Sequence, residues 1–188
     1  MTTFVALLRA VNVSGQNKIP MAELRGALGG LGLTGVETYV QSGNVVFSAA
    51  GDDPAEQAAA IHGLIEREFG HDVRVLVLTA AELAQVAAGN PFVADRADEK
   101  FLHATFLDVP VPEAAFGDVD LAARPGEQAV LAVGDATPAG RAVYLYLPHG
   151  YGRTKLNNAY FERALGTPAT TRNWRTVLAL VDMSAGAA

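Results

Sequence analysis

The chain has no cysteine, one tryptophan and three methionines, and aromatic residues make up only 7 % of it. Without thiols there can be no disulfide, no zinc–thiolate site and no thiol nucleophile. Long apolar runs are missing as well. The first, Phe4 to Leu8, is too short for a membrane span or a signal peptide and has no basic flank. A cytoplasmic protein with no membrane partner is therefore the expectation. Lysine is scarce, with three against 11 arginines, and two of the three, Lys18 and Lys155, lie in polar, glycine-containing segments. In so arginine-biased and alanine-rich a chain, lysine at those two positions draws notice. What is present is an ordinary globular composition: 188 residues, 50 % hydrophobic and 18 % charged. That length fits one compact domain or two small ones, enough to bury an interior without staples.

The net charge of −6 argues against a general nucleic-acid binder, but it is unevenly distributed. Residues 1–148 carry nine basic and 18 acidic side chains, a net −9. Residues 149–188 carry five basic and two acidic ones, a net +3.

Hydrophobic patterning predicts a strand over Phe4–Arg9, a polar loop over Asn12–Lys18, and a helix opened by Pro20 with Met21, Leu24, Leu28 and Leu31 on one face. Strands follow at Val36–Gln41 and Asn44–Phe47, joined by Ser42-Gly43. Asp53, Pro54 and Glu56 start a helix with an Ile61, Leu64, Ile65 and Phe69 stripe and a Gly70 stop; Val73–Leu78 is the next strand. This β-α-β-β-α-β order is that of a ferredoxin-like split β-α-β unit. The second half opens with a Thr79/Glu82 capping box and a short helix ending at Gly89-Asn90-Pro91. It continues with a strand over Phe101–Leu107 and an irregular stretch, Pro110–Pro125. A hairpin of Val130–Val133 and Ala142–Leu147 follows, turning at Gly134–Gly140, then helices near Thr154–Leu165 and Thr171–Met183. Trp174, Val177, Leu178 and Val181 form the last stripe. The expected architecture is α+β: two tandem ferredoxin-like subdomains, 1–78 and 79–183, packed as one body. The second is an imperfect copy closed by two helices, and 184–188 is a fraying tail.

In such a sheet the loop after the first strand and the hairpin between the second and third emerge at the same edge. That gathers Arg9, Asn12, Ser14, Asn17 and Lys18 near Gln41, Ser42 and Asn44, all hydrogen-bond donors and none an acid. Two polar turns would select the same residue types for backbone geometry alone.

The C-terminal segments are sharper. Tyr151-Gly-Arg-Thr-Lys-Leu-Asn-Asn158 and Thr170-Thr-Arg-Asn-Trp-Arg175 each place two cations at an expected helix start. A helix N-terminus carries about +0.5 charge, so exposed cations there cost roughly 0.3–1 kcal/mol each. The helices at Asp53 and Thr79 instead carry Asp52, Asp53, Glu56 and Glu82 near their first turns, the sign the dipole prefers. A positive end reinforced by Arg and Lys suits an anion, phosphate above all. The competing account pairs Arg153 and Arg172 with acids elsewhere in this acidic chain.

Other candidates are weaker. His62, His71, His103 and His149 show no ligand spacing, so neither a metal site nor a cofactor is expected. His103 alternates with Thr105 on a strand as a packed residue would, and His149 is a possible acid or base beside the basic segment. Gly15 and Lys18 lack Walker spacing, and Gly29-Gly30-Leu31-Gly32 follows a helix rather than a strand. Tyr144 and Tyr146 share a strand face, where core packing outweighs base stacking.

Several uninterrupted words resemble the bacterial domain of unknown function 1697 family. They are Phe4-Val-Ala-Leu-Leu-Arg-Ala-Val-Asn-Val13, Asn17-Lys-Ile-Pro-Met-Ala-Glu-Leu24, Tyr39-Val-Gln-Ser-Gly-Asn-Val-Val-Phe47, Gly152-Arg-Thr-Lys-Leu-Asn-Asn158 and Ala169-Thr-Thr-Arg-Asn-Trp174. The resemblance spans nearly the whole chain and implies two tandem ferredoxin-like subdomains and no established activity. It also implies glycine at the position of Ser14 and lysine at that of Gln16, so this loop has one positive charge fewer than the family pattern.

The residues point to a basic, amide-lined pocket between the subdomains for a phosphate-bearing small molecule or nucleotide. Arg153, Lys155 and Arg172 would neutralise charge, Asn157 and Asn173 orient, and Arg9, Asn12, Lys18, Ser42 and Asn44 close the far side. No acid–base pair marks it as an enzyme. The alternative is a nucleic-acid or protein interaction module using the basic C-terminal face. The charge balance separates the two: random duplex DNA should bind negligibly at physiological salt in a filter or anisotropy titration. Sub-micromolar affinity there, falling with salt at a log–log slope of about −0.9 per phosphate contacted, would put the alternative first.

Overall fold

The Phe4–Leu8 run is apolar throughout because its strand is buried on both faces, so neither side needs the polar alternation of a half-solvated strand. The computed structural model describes all residues except Ser14, 95–97, Asp120, Ala122, 134–139 and Ala188. It divides into two units, Met1–Leu83 with Ala179–Ala188, and Ala84–Leu178. Among the described residues they contain two four-stranded antiparallel sheets and seven helices.

In the first unit β1 (Thr2–Leu8) lies between β3 (Asn44–Ala49) and β4 (Val75–Thr79), with β2 (Thr34–Tyr39) outside β3. Phe4, Ala6 and Leu8 face a core built with α1 (Met21–Gly29) and α2 (Pro54–Phe69). The helix signals act as expected. Asp53 Oδ1 accepts from Ala55 N at 2.8 Å, and Gly70 ends α2 at φ 69°. After β4, α3 (Ala80–Ala88) starts on a reciprocal capping box, with Thr79 N to Glu82 Oε2 at 2.8 Å and Glu82 N to Thr79 Oγ1 at 3.1 Å.

The second unit repeats the strand order. β5 (Leu102–Leu107) lies between β7 (Ala142–Tyr146) and β8 (Ala169–Asn173), with β6 (Gln128–Leu131) outside β7. A short α4 (Pro91–Ala94) precedes β5; α5 (Glu113–Gly117) and α6 (Asn158–Leu165) serve the crossovers. The core of this unit gathers Leu107, Val143, Leu145, Leu156 and Phe161 on one sheet face. α7 (Trp174–Gly186) follows β8 directly.

Four sequence expectations change. The second β-α-β-β-α-β set is complete, because α5 occupies the stretch read as irregular and β8 occupies the residues read as a helix start. The last helix begins at Trp174 rather than Thr171, since Asn173 Oδ1 caps it by accepting from Thr176 N at 2.8 Å. It continues to Gly186, with Ser184 buried, so the expected tail is largely helical. The sixth helix begins at Asn158 rather than Thr154, because Asn157 Oδ1 accepts from Tyr160 N at 3.1 Å. Most of the hairpin turn expected at Gly134–Gly140 lies outside the described residues.

Gly43 closes the β2–β3 turn against β1. Its carbonyl accepts from Leu8 N at 2.8 Å, its φ is 71°, and a Cβ there would stand 2.7 Å from Leu8 Cβ. Gly51 shares the left-handed backbone, at φ 88°, but a Cβ there meets nothing within 4 Å. Urea unfolding should therefore show Gly43→Ala losing roughly 2–4 kcal/mol, and Gly51→Ala only about 1 kcal/mol. Equal losses would mean that the close approach to Leu8 is unimportant.

Candidate functional site

The donor-rich residues of the first unit do meet at one sheet edge. Asn12 Nδ2 donates to Gln41 O and to Ile19 O, both at 2.9 Å, and Asn12 Oδ1 accepts from Ile19 N at 3.0 Å. Asn44, fully buried, donates to Tyr39 O at 3.1 Å and to Ser42 Oγ at 3.0 Å. Asn12, Ser42 and Asn44 thus direct these bonds within the two turns, meeting the needs of backbone that makes no ladder bonds there. Ala10, Asn12, Asn17 and Val40 all have φ between 44° and 56°, the left-handed region. For Ala10 and Val40 this stores about 1–3 kcal/mol each, which the surrounding bonds must outweigh. Arg9 is half-buried and Lys18 exposed, while Ser14 lies outside the described residues.

The second unit brings the two basic segments together. Arg172 sits in β8 opposite Ala104 of β5, and the next residue, Asn173, opposite His103. On β8 Thr171 Oγ1 donates to Asn158 Oδ1 at 2.6 Å, tying the start of α6 to the strand. Having given its one proton to Asn158, Thr171 must accept from Thr105 Oγ1, 2.8 Å away. The 151–158 segment is thereby held beside 171–173. Because Arg172 lies in a strand, the helix-dipole argument made for it does not apply; for Lys155, two residues before the cap of α6, it does.

Two buried residues pin the 151–155 segment. Tyr151 stacks on His103, with centroids 5.2 Å apart and planes 23° apart. Thr154 Oγ1 donates to Glu127 Oε2 at 2.9 Å and accepts from Leu156 N at 3.0 Å. Glu127 also accepts from Arg124 N at 2.9 Å, while its Oε1 is buried without a hydrogen bond. Between these anchors Arg153 stands exposed, and Lys155 is exposed just beyond them. Among the described residues neither makes an ion pair, so the account that pairs Arg153 with an acid has no contact to rest on. Desolvation lowers the pKa of half-buried Arg172 to about 10, with nearby Tyr151 opposing the shift, so it remains charged at neutral pH.

The two asparagines acquire a definite polarity. Asn157 and Asn173 each spend their Oδ1 as a helix cap, and among the described residues neither Nδ2 donates a hydrogen bond. What each still offers a ligand is a donor. Tyr144, by contrast, belongs to the core: its hydroxyl donates to Val86 O at 2.9 Å, and burial raises its pKa to about 12. His149 is exposed, with Nε2 at 3.1 Å from Pro125 O. Among the described residues no group of three or more acidic or histidine side chains could hold a metal, and no helix is long and apolar enough to cross a membrane. Of the residues that matter here, sequence reasoning missed the partnership of Tyr151 with His103 and of Thr154 with Glu127. Each pair is distant in sequence. The one available signal was Tyr151 itself, an aromatic between glycines beside the two cations.

Burial lowers the His103 pKa, with the Phe101 carbonyl acting against it, and His103 Nδ1 has no hydrogen-bond partner. The unfolded chain therefore takes up this proton before the folded one as pH falls below about 6.5. His103 adds no penalty above that value and progressively destabilises the fold below it, until its own folded pKa is passed. Melting temperatures at several pH values should show a decline below about pH 6.5 that is smaller in His103→Phe. An identical decline in both proteins would remove His103 as its source.

The structure is similar to that of the conserved bacterial protein SP0830 from Streptococcus pneumoniae, with a TM-score of 0.66 and 24 % identity over 97 % of this chain and 98 % of that one. At that identity the likeness concerns the fold. No curated protein matches the chain. The family model described as protein of unknown function (DUF1697) matches residues 1–136, all of the first four strands and the second unit through β6, and stops before both basic segments. With most of its length matched, the chain belongs to the DUF1697 family.

Proposed function

We propose that this is a cytoplasmic binder of phosphate-bearing small molecules or nucleotides, built on two ferredoxin-like units, with the anion held in the second. The observation that carries the reading is the polarity of the β7–α6 connection and the end of β8. Among the described residues Arg153 and Lys155 are exposed without ion pairs, Arg172 is desolvated yet charged, and Asn157 and Asn173 have Nδ2 donors that no cap bond uses. A group of this kind favours an acceptor-rich, negatively charged ligand. The segment is also preorganised, since Tyr151 and Thr154 anchor it from below; rigid donors lose less entropy on binding. Nothing in the donor set removes or supplies a proton, so the reading is of binding and leaves catalysis aside.

Inorganic pyrophosphate is the probe, in a melting assay with and without ligand. A ligand at a hundredfold excess over its Kd adds about 2.7 kcal/mol to stability, which resolves readily. Arg153→Glu and Lys155→Glu should keep or slightly raise the ligand-free melting temperature, because each removes an exposed cation that makes no ion pair among the described residues, and Lys155 lies near a helix N-terminus. Both should abolish the pyrophosphate effect. The reading fails if pyrophosphate leaves the wild type unchanged, or if the reversals themselves unfold the protein.

A further inference from the structure

We infer that the site reads a nucleotide rather than a bare phosphate, with Tyr151 as the platform on which the base stacks; this rests on the anion reading above. Three observations carry it. The Tyr151 ring is held from one side by His103, nearly parallel at 23°, and His103 is itself only 8 % exposed, so the orientation of the tyrosine is set by a buried neighbour. Tyr151 is half-buried, so part of its surface remains open to solvent. On either side of it a Cβ built at Gly150 or Gly152 would meet nothing within 4 Å, so the backbone flanking the ring borders open space. A flat group approaching Tyr151 meets no side chain from either neighbour.

The spacing suits one ligand with two ends. Arg153 and Lys155 follow the tyrosine by two and four residues. Even in extended chain these steps span at most about 7 and 14 Å, and the 3-10 turn over Tyr151–Arg153 shortens the first. A base on Tyr151 therefore leaves its phosphate within reach of both cations. Aromatic stacking is tolerant of base identity, because every base presents a π-face, so the platform selects nucleotides as a class.

Calorimetric titration of the intact protein with ribose phosphate, adenosine monophosphate and uridine monophosphate tests this. Both nucleotides should bind at least about fivefold more tightly than ribose phosphate, the low end of what one stacked base supplies. Tyr151→Phe should keep that preference. Tyr151→Leu, which removes the ring, should erase it, bringing the ratio of nucleotide to ribose phosphate affinity to about one. Equal binding of all three ligands by the wild type overturns the platform and leaves the anion reading standing, and this outcome needs no variant to fold. A preference that survives in Tyr151→Leu also overturns it. If none of the three binds, the platform falls, and the anion reading stands or falls with the pyrophosphate result.

Discussion

The pairing of β8 with β5 is the constraint on which the second unit turns. β8 is five residues long and carries threonines, an arginine and an asparagine, so its own apolar content does not hold it in place. The ladder to β5 does, with Thr105, Thr171 and Asn158 hydrogen-bonded in series across strand, strand and helix. Once the register is set, Arg172 falls beside Tyr151 and Asn173 reaches the start of α7. No linker intervenes: Asn173 is at once the last strand residue and the helix cap, and Trp174 turns straight into the interior, its ring edge-on to Tyr144 at 6.5 Å.

Elements with strong local signals were legible. Asp53, Pro54 and Gly70 bound α2, Thr79 and Glu82 open α3, and the apolar period of the first unit yields its strand and helix order. β8 was hidden because its strand character comes from a partner more than 60 residues away, not from hydrophobic alternation. Thr170 and Thr171 are suited to a strand, yet beside an apolar helical stripe they also pass as its first turn. The start of α6 was misplaced for a related reason. Thr154 resembles a cap, and its hydroxyl does accept from Leu156 N, but the helix starts later and is capped by Asn157. On the site, residue types alone marked the basic segments. What they could not mark was the direction in which each polar side chain spends its bonds.

That direction distinguishes the two units, which share a strand order. In the first, Asn12 and Asn44 turn amide groups inward onto the backbone, stabilising a loop pair in which four non-glycine residues adopt left-handed backbone. In the second, Asn157 and Asn173 turn oxygens to helix ends and keep nitrogens in reserve. The same side chain type is scaffold in one place and candidate recognition element in the other.

The division of labour within Asn157 and Asn173 has an evolutionary corollary. Aspartate caps a helix as well as asparagine does, since the cap uses only the oxygen. Exchanging one nitrogen for oxygen at either position would leave the fold untouched while turning a donor into a negatively charged acceptor. Under the proposed reading, ligand preference at these two positions is thus decoupled from stability. Under that reading, such a change would alter the charge offered to a ligand while leaving the helix cap in place.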